Sequence, residues 1–319
     1  MDQNINSEYE SLKASKFKQQ KLPAWRPVPS ICVTIAIFLS FGVIFIIIGA
    51  VVIHYSNGIV EITKQYDVEC KKQEGITCKI GFEILEDLDT NVMFYYKLTN
   101  FYQNHRRYVK SKSNSQLLGE VLDVDAIKSD CDPVVRNKDI MPTYKTSFYQ
   151  NTPLNPEGAA FPCGLIAKSF FNDTYTIQKK ENYINTDIPI NSNNIAWPAD
   201  LKLKYKLPDN QNDWKKMWMN TTNEHFVVWM RPAGLPDFRK LWGRIDGGMK
   251  KGKYDLVIND NYPTTIFNGS KSVVLSTVNA FGGKNLFLGY SYIVVGGICI
   301  LMAIGFFIGD KIQKKNKTN

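Results

Sequence analysis

Two stretches of the chain show no alternation of polar and apolar positions at all. Ile31 to Ile53 and Leu286 to Ile308 are each 23 residues long and contain no charged side chain. As helices each measures about 34 Å at a rise of about 1.5 Å per residue, enough to cross a hydrocarbon core about 30 Å thick. A cleavable leader has an apolar run of only about 7–15 residues before a small-residue cleavage site, so the first stretch reads as a span. The chain therefore divides into a tail (1–30), a span (31–53), a large segment (54–285), a second span (286–308) and a short tail (309–319).

Between the spans, strand patterns dominate. Leu201 to Leu207 alternates strictly, with Leu201, Leu203, Tyr205 and Leu207 on one face and three lysines on the other. Asn91–Leu98, Phe226–Met230, Tyr254–Ile258 and Ser272–Ser276 read as further strands. Short helices interrupt them: Thr99-Asn100 caps one running through Phe101, Tyr102, Arg106 and Val109, and Pro236–Trp242 forms another that Gly243 ends. Asn137 to Pro162, with four prolines, reads as a long ordered loop. The predicted fold is a membrane protein with two transmembrane α-helices flanking a mainly antiparallel β-sandwich ectodomain with short helices.

Charge adds an orientation. Lys13, Lys16, Lys18, Lys21 and Arg26 precede the first span, and Lys311, Lys314, Lys315 and Lys317 follow the second. Lys64 and Lys284 are the nearest basic residues on the inner ends. Basic residues gather on the cytosolic side of spans, so both termini are expected in the cytosol and the ectodomain in the lumen or outside the cell. The net charge of +9 divides into about +5 on the tails and +4 between the spans. The tails thus suit anionic membrane phospholipids, and no nucleic-acid partner is needed to explain them.

The remaining polar chemistry agrees. Cys32 and Cys299 lie in the spans, whereas Cys70, Cys78, Cys131 and Cys163 lie between them. Four cysteines in an oxidising compartment predict two disulfides, with three pairings open. Asn172-Asp-Thr174, Asn220-Thr-Thr222 and Asn268-Gly-Ser270 are glycosylation sequons in the same segment. N-linked glycans are expected there, and no cofactor. A fourth sequon, at Asn316, lies in a tail expected in the cytosol and should stay bare.

Catalytic patterns dissolve on inspection. Gly247 to Lys253 matches the first seven positions of a phosphate-binding loop, but Tyr254 stands where a compact hydroxyl is required and a strand follows where a helix should. It reads as a glycine turn between strands. Asp123-Val-Asp125 is a short acidic pattern of a kind that recurs by chance. His54, His105 and His225 are scattered, and neither H-E-x-x-H nor G-x-S-x-G occurs. The chain is expected to bind no metal, to have no catalytic residue and not to be an enzyme by itself.

Small residues mark the spans. Gly289, Gly296 and Ala303 recur every seven positions, Gly305 and Gly309 form a G-x-x-x-G, and Ala36 and Ser40 make a small pair in the first span. Such stripes let another helix approach closely: either the two spans pack on each other, or they dock on a larger membrane protein. Neither span carries an ionisable residue, so neither marks an ion path of its own.

Six strings in order resemble one family. They are FKQQKLPAWRPVPS (Phe17 to Ser30), YYKLTNFYQNHRRYVKS (Tyr95 to Ser111), PCGLIAKSFFNDT (Pro162 to Thr174), NNIAWPAD (Asn193 to Asp200), FVVWMRPAGLPDFRKLWGRI (Phe226 to Ile245) and NAFGGKNLFLGYSYIVVG (Asn279 to Gly296). They are similar to the cell division control protein 50 / ligand-effect modulator family, β-subunits of type-IV P-type ATPases. The resemblance implies a heterodimer with the catalytic α-subunit of a phospholipid flippase, needed for its folding, its exit from the endoplasmic reticulum and its activity. An ATPase-like domain fused to a cyclase stays open as the partner. The implied membranes are endoplasmic reticulum, Golgi, endosome or plasma membrane. By the family pattern Cys131 bonds Cys163, across an interval that looks longer than usual, and Cys70 bonds Cys78. Trp25, Arg26 and Pro27 are implied to lie against the ATPase's cytosolic side, while Trp and Arg so close to a span also anchor at the membrane interface. Gly289, Gly296 and Ala303 are implied to meet the partner's helices. The alternative is a trimeric two-span ligand-gated channel, which normally carries more ectodomain cysteines and polar pore-lining residues.

Overall fold

The computed structural model describes residue 10 and residues 13–21, 29–71, 73, 77–181 and 184–318. Trp25, Arg26 and Pro27 lie outside the described residues. The chain forms two compact units, one made of the terminal segments through His54 and from Asn285 onward, the other of Tyr55–Lys284.

The terminal unit contains two long helices, Ile31–Asn57 and Leu286–Thr318. Each holds an apolar window with mean hydropathy of 3.0 or 2.4, and both pass their predicted ends into more polar residues. Most of their large apolar side chains, from Ile31 to Ile312, are exposed. A helix that stays apolar all round belongs in hydrocarbon. These are the two spans of an integral membrane protein.

The larger unit is built on eight strands: β1 Glu61–Gln65, β2 Thr77–Ile84, β3 Val92–Leu98, β4 Thr174–Glu181, β5 Ile184–Ile188, β6 Phe238–Ile245, β7 Gly252–Asn259 and β8 Lys271–Thr277. They pair antiparallel in two four-stranded sheets, ordered β1-β8-β3-β6 and β2-β7-β4-β5. Alternation decides which faces are buried. In β2, Cys78, Ile80, Phe82 and Ile84 point in, and in β3, Val92, Phe94, Tyr96 and Leu98 do. Rings of the two sheets meet inside, Phe94 lying 5.1 Å from Tyr175. Every residue of β8 is buried. The predicted sandwich of antiparallel strands with short helices is what the chain forms.

Local expectations are corrected at four places. Phe226–Met230 is helical, within Glu224–Met230, because Asn223 caps it by accepting from the Phe226 N–H. Its buried positions, Phe226, Val227, Trp229 and Met230, have helical rather than strand spacing. Leu201–Leu207 starts inside the helix Pro198–Leu203, which Pro198 opens and an Asp200–Lys204 pair supports. Leu203 is therefore exposed, while Tyr205 beyond the helix stays buried.

Pro236–Trp242 departs in the opposite direction, from helix to strand. Phe238 onward is β6, paired residue by residue with β3 across a bulge at Phe94/Tyr95. Gly243 does not end a helix there; a Cβ on it would meet Ile190 at 2.5 Å, so the strand passes close under that neighbour. After β3 the predicted helix starts late, at Arg106, because Asn100 is held in a left-handed turn. Its backbone N–H donates to Asp237 there.

Candidate functional site

Interaction surfaces are the candidate site. No group of three or more His, Cys, Asp or Glu side chains that could hold a metal occurs among the described residues. Asp123 and Asp125 sit at the start of the helix Val124–Cys131 and point to solvent. The Gly247–Lys251 segment is a turn joining β6 to β7, as its glycines suggested.

The most concentrated ionisable chemistry is structural, and of its members only Asp173 falls in a string that the sequence singles out. The Lys271 side chain, 2% exposed, donates to Asp173 Oδ2 at 2.7 Å, to Asp260 and to the Tyr262 carbonyl at 2.6 Å. Asp173 also accepts from the Tyr66 hydroxyl at 2.6 Å and from the backbone N–H groups of Asn261 and Tyr262. Burial pushes the Asp173 carboxyl upward against the pull of the Lys271 ammonium, and it pushes the Tyr66 and Tyr175 hydroxyls well above their ordinary values. Fully bonded on every side, this cluster ties β4, β8 and the Asp260–Tyr262 loop together. A second buried lysine, Lys240, donates to the carbonyls of Val228, Trp229 and Arg231 and so closes the end of a helix. Burial lowers its amine to about 7, yet three carbonyl acceptors favour the charged form. Nothing in either sequence neighbourhood distinguishes these lysines from solvated ones.

Cys70 is bonded to Cys78 and Cys131 to Cys163, closing intervals of 8 and 32 residues. The Pro162-Cys163-Gly164 string owes its glycine to geometry. Gly164 has φ +98°, and a Cβ there would fall 2.1 Å from the Ser111 carbonyl oxygen. The Ser111 hydroxyl then bridges the strings, donating to the Cys131 and Asp132 carbonyls and accepting from the Leu165 N–H.

The three sequons lie in different settings. Asn268 is exposed in a left-handed turn. Asn220 is half-buried, its Oδ1 accepting from the Thr222 N–H and hydroxyl. Asn172 is half-buried just before β4.

The geometry of the spans gives Gly42, Gly49, Gly289 and Gly296 close neighbours on the other helix. A Cβ on Gly49 would lie 2.8 Å from the Gly289 carbonyl oxygen, and one on Gly296 would lie 2.8 Å from that of Gly42. The spans therefore touch backbone to backbone at two levels, Gly42 opposite Gly296 and Gly49 opposite Gly289. Of the two readings of the Gly289, Gly296, Ala303 stripe, packing of the spans on each other is what the structure shows for both glycines. Ala303 is only 3% exposed. In the first span the matching pair is Gly42 and Gly49 rather than Ala36 and Ser40. Their seven-residue spacing equals that of Gly289 and Gly296, a signal present in the sequence. At Gly297, Gly305 and Gly309 a Cβ would meet no atom within 4 Å beyond the adjoining backbone of its own helix, so this glycine face is open.

Two membrane helices and a disulfide-bonded sandwich between them in sequence define a class: a two-span membrane protein. The chain belongs to the LEM3 (ligand-effect modulator 3) family / CDC50 family, matching it over residues 48–316. It is 36% identical to "ALA-interacting subunit 3" of Arabidopsis thaliana, over 93% of this chain and 85% of that one. It is 36% identical to "Cell cycle control protein 50A" of Bos taurus, over 95% and 90%. With "Cell cycle control protein 50B" of Homo sapiens it shares 33% identity over 89% of each.

Proposed function

We propose that this protein is the non-catalytic β-subunit of a type-IV P-type ATPase that moves phospholipid across a membrane. The observation that carries the reading is the near full-length similarity to relatives named as interacting subunits. The structure adds a surface suited to it: the spans spend Gly42, Gly49, Gly289 and Gly296 on each other and leave Gly297, Gly305 and Gly309 open. In lipid, an open small-residue face gives a neighbouring helix room for close van der Waals contact.

In this reading the ectodomain is lumenal or extracellular, both tails are cytosolic, and Trp25, Arg26 and Pro27 meet the ATPase or the interface beside it. The subunit binds the folded pump and not its unfolded chain, so it stabilises the pump by mass action and supports its exit from the endoplasmic reticulum. It has no ATPase or lipid-transport activity alone.

The test compares aspartyl-phosphate formation and labelled-lipid uptake with and without this chain, at matched ATPase amounts. Both are expected to fall in its absence, and unchanged uptake and trafficking would reject the reading. Mild detergent extraction should yield a 1:1 complex with a large ATPase; a homotrimer would favour a channel. Gly305→Ile with Gly309→Ile should reduce co-purified ATPase while leaving the chain's own thermal unfolding unchanged.

A further inference from the structure

One groove of the ectodomain has aromatic walls and no occupant within the fold. It has a volume of about 530 Å³ and is lined by Phe101, Tyr108, Tyr144, Phe170, Tyr262 and Phe267, with Asn172 and Ile266 among its other residues. Ile266 is 83% exposed there. The Tyr144 hydroxyl makes no hydrogen bond among the described residues, although its ring is largely buried against Trp218. Such a volume and lining suit a small organic group with apolar faces and a few polar atoms.

Asn172 enters this groove for a reason written in the backbone. From Phe170 to Tyr175 burial alternates, with Phe171, Asp173 and Tyr175 inside and Phe170, Asn172 and Thr174 outside. Asp173 is locked inward by Tyr66, Lys271 and two backbone donors. In extended chain the residue two before an asparagine lies beside it on the same face. Phe170 is thus the neighbour of whatever Asn172 carries, and Thr174 completes the sequon on that same face.

The Asn172 amide is itself unsatisfied. Its Oδ1 is buried with no hydrogen-bond partner, an uncompensated loss of solvation if nothing supplies a donor. Its Nδ2, the atom that glycosylation modifies, donates to nothing among the described residues.

We propose that the groove is the seat of the first N-acetylglucosamine of a glycan on Asn172. The C–H face of the pyranose lies against Phe170 and the ring cluster, its hydroxyls reach the Tyr144 hydroxyl, and Ile266 forms the outer lip. The sugar brings donors to the rim where Oδ1 lacks one. The groove is then an intramolecular carbohydrate site rather than a docking surface for another polypeptide or an acyl chain. This rests on the lumenal placement of the ectodomain given above.

The test uses the full-length chain made in cells that attach N-glycans and purified in mild detergent. Amidase release of each glycan, which hydrolyses the Cγ–Nδ2 amide bond, frees the sugar as its glycosylamine and leaves aspartate, is followed site by site by mass spectrometry. Release at Asn172 in the native protein should be at least about tenfold slower than at Asn268, because the enzyme must wait for local opening. Denaturation first should equalise the two. Ile266→Ser lies in another loop and is too exposed to unfold the protein; it should speed release at Asn172 several-fold, as should Phe170→Ala. With Asn268→Gln in place, a photo-cross-linking residue at position 266 should capture the glycan on Asn172. Equal native rates, slow release that Ile266→Ser does not change, an unmodified Asn172 beside a modified Asn268, or cross-links to another polypeptide or a lipid would each overturn the proposal. If none of the three sequons is modified, the lumenal reading falls and the proposal with it.

Discussion

The membrane unit and the ectodomain solve the same problem, holding segments together, by opposite means. In the ectodomain contact is made by adding bulk: Trp229 is fully buried and sits within about 6.5 Å of several rings, its Nε1 donating to the Ile166 carbonyl. In the membrane unit contact is made by removing it, at Gly42, Gly49, Gly289 and Gly296. Water makes the difference. Burying a large apolar side chain removes surface from water and is worth about 1.5–3 kcal/mol. In lipid there is no such gain, so helices associate where small residues let backbones come close. The ectodomain should therefore fail when a group is taken away, and the span pair when one is put in.

The sharpest break should come at Lys271. Lys271→Met leaves Asp173 buried with its cation gone and should cost about 3–5 kcal/mol, as removal of one member of a buried pair does. Urea unfolding of the full-length protein in detergent at neutral pH measures it. Adding Asp173→Asn should recover part of the loss, and no recovery would show that packing rather than charge is what Lys271 supplies.

Next is Gly49→Val, the converse experiment. The new Cβ would stand 2.7 Å from Ile293 Cγ1 and 2.8 Å from the Gly289 carbonyl oxygen. Overpacking of this kind costs about 1–3 kcal/mol. Spin labels on the two free cysteines, Cys32 and Cys299, should report a shifted or broadened distance. An unchanged distribution would mean that the backbone contact does not hold the pair.

A smaller effect belongs to His225. Burial pushes its imidazole below the ordinary value, against the Glu224 carboxylate, and its Nδ1 is buried with no hydrogen bond. A base with a depressed folded pKa keeps its stability above the unfolded value of about 6.5 and loses it as pH falls toward the folded one. The urea midpoint should thus decline between pH 7 and pH 5, and less so in His225→Gln. Parallel declines in the two proteins would count against burial of a neutral ring. The smallest effect is expected at Gly297→Val, where a Cβ meets nothing within 4 Å beyond the adjoining backbone of its own helix; the same spin-label distance should not move.

The two units also differ in legibility. The spans can be read from composition alone, because a charge-free run of 23 residues is too long and too apolar for an ordinary core helix. Strands β3, β7 and β8 are visible because their apolar residues are also β-formers. Phe226–Met230 has the same composition and is a helix, because one Asn223 side chain caps it and its buried positions fall at helical spacing. β6 hides behind Pro236-Asp237, which resembles a helix start, and only pairing with β3 reveals it. The sandwich is therefore legible where propensity and packing agree. At the candidate interface the relevant glycines are in plain view, but which ones face inward depends on a match between two distant segments. The Asp173–Lys271 cluster joins residues 98 positions apart and leaves no local trace.

The two glycine contacts between the spans act together as a key. They are seven residues apart on each helix, about 10.5 Å along the axis. Sliding one helix past the other by a single turn, about 5.4 Å, would bring side chains against backbone at both levels at once. The pair therefore has one register and no neighbouring one to rest in. A push along the axis of either helix is delivered to the other without slippage, which makes the pair a stiff rod rather than two independent tethers.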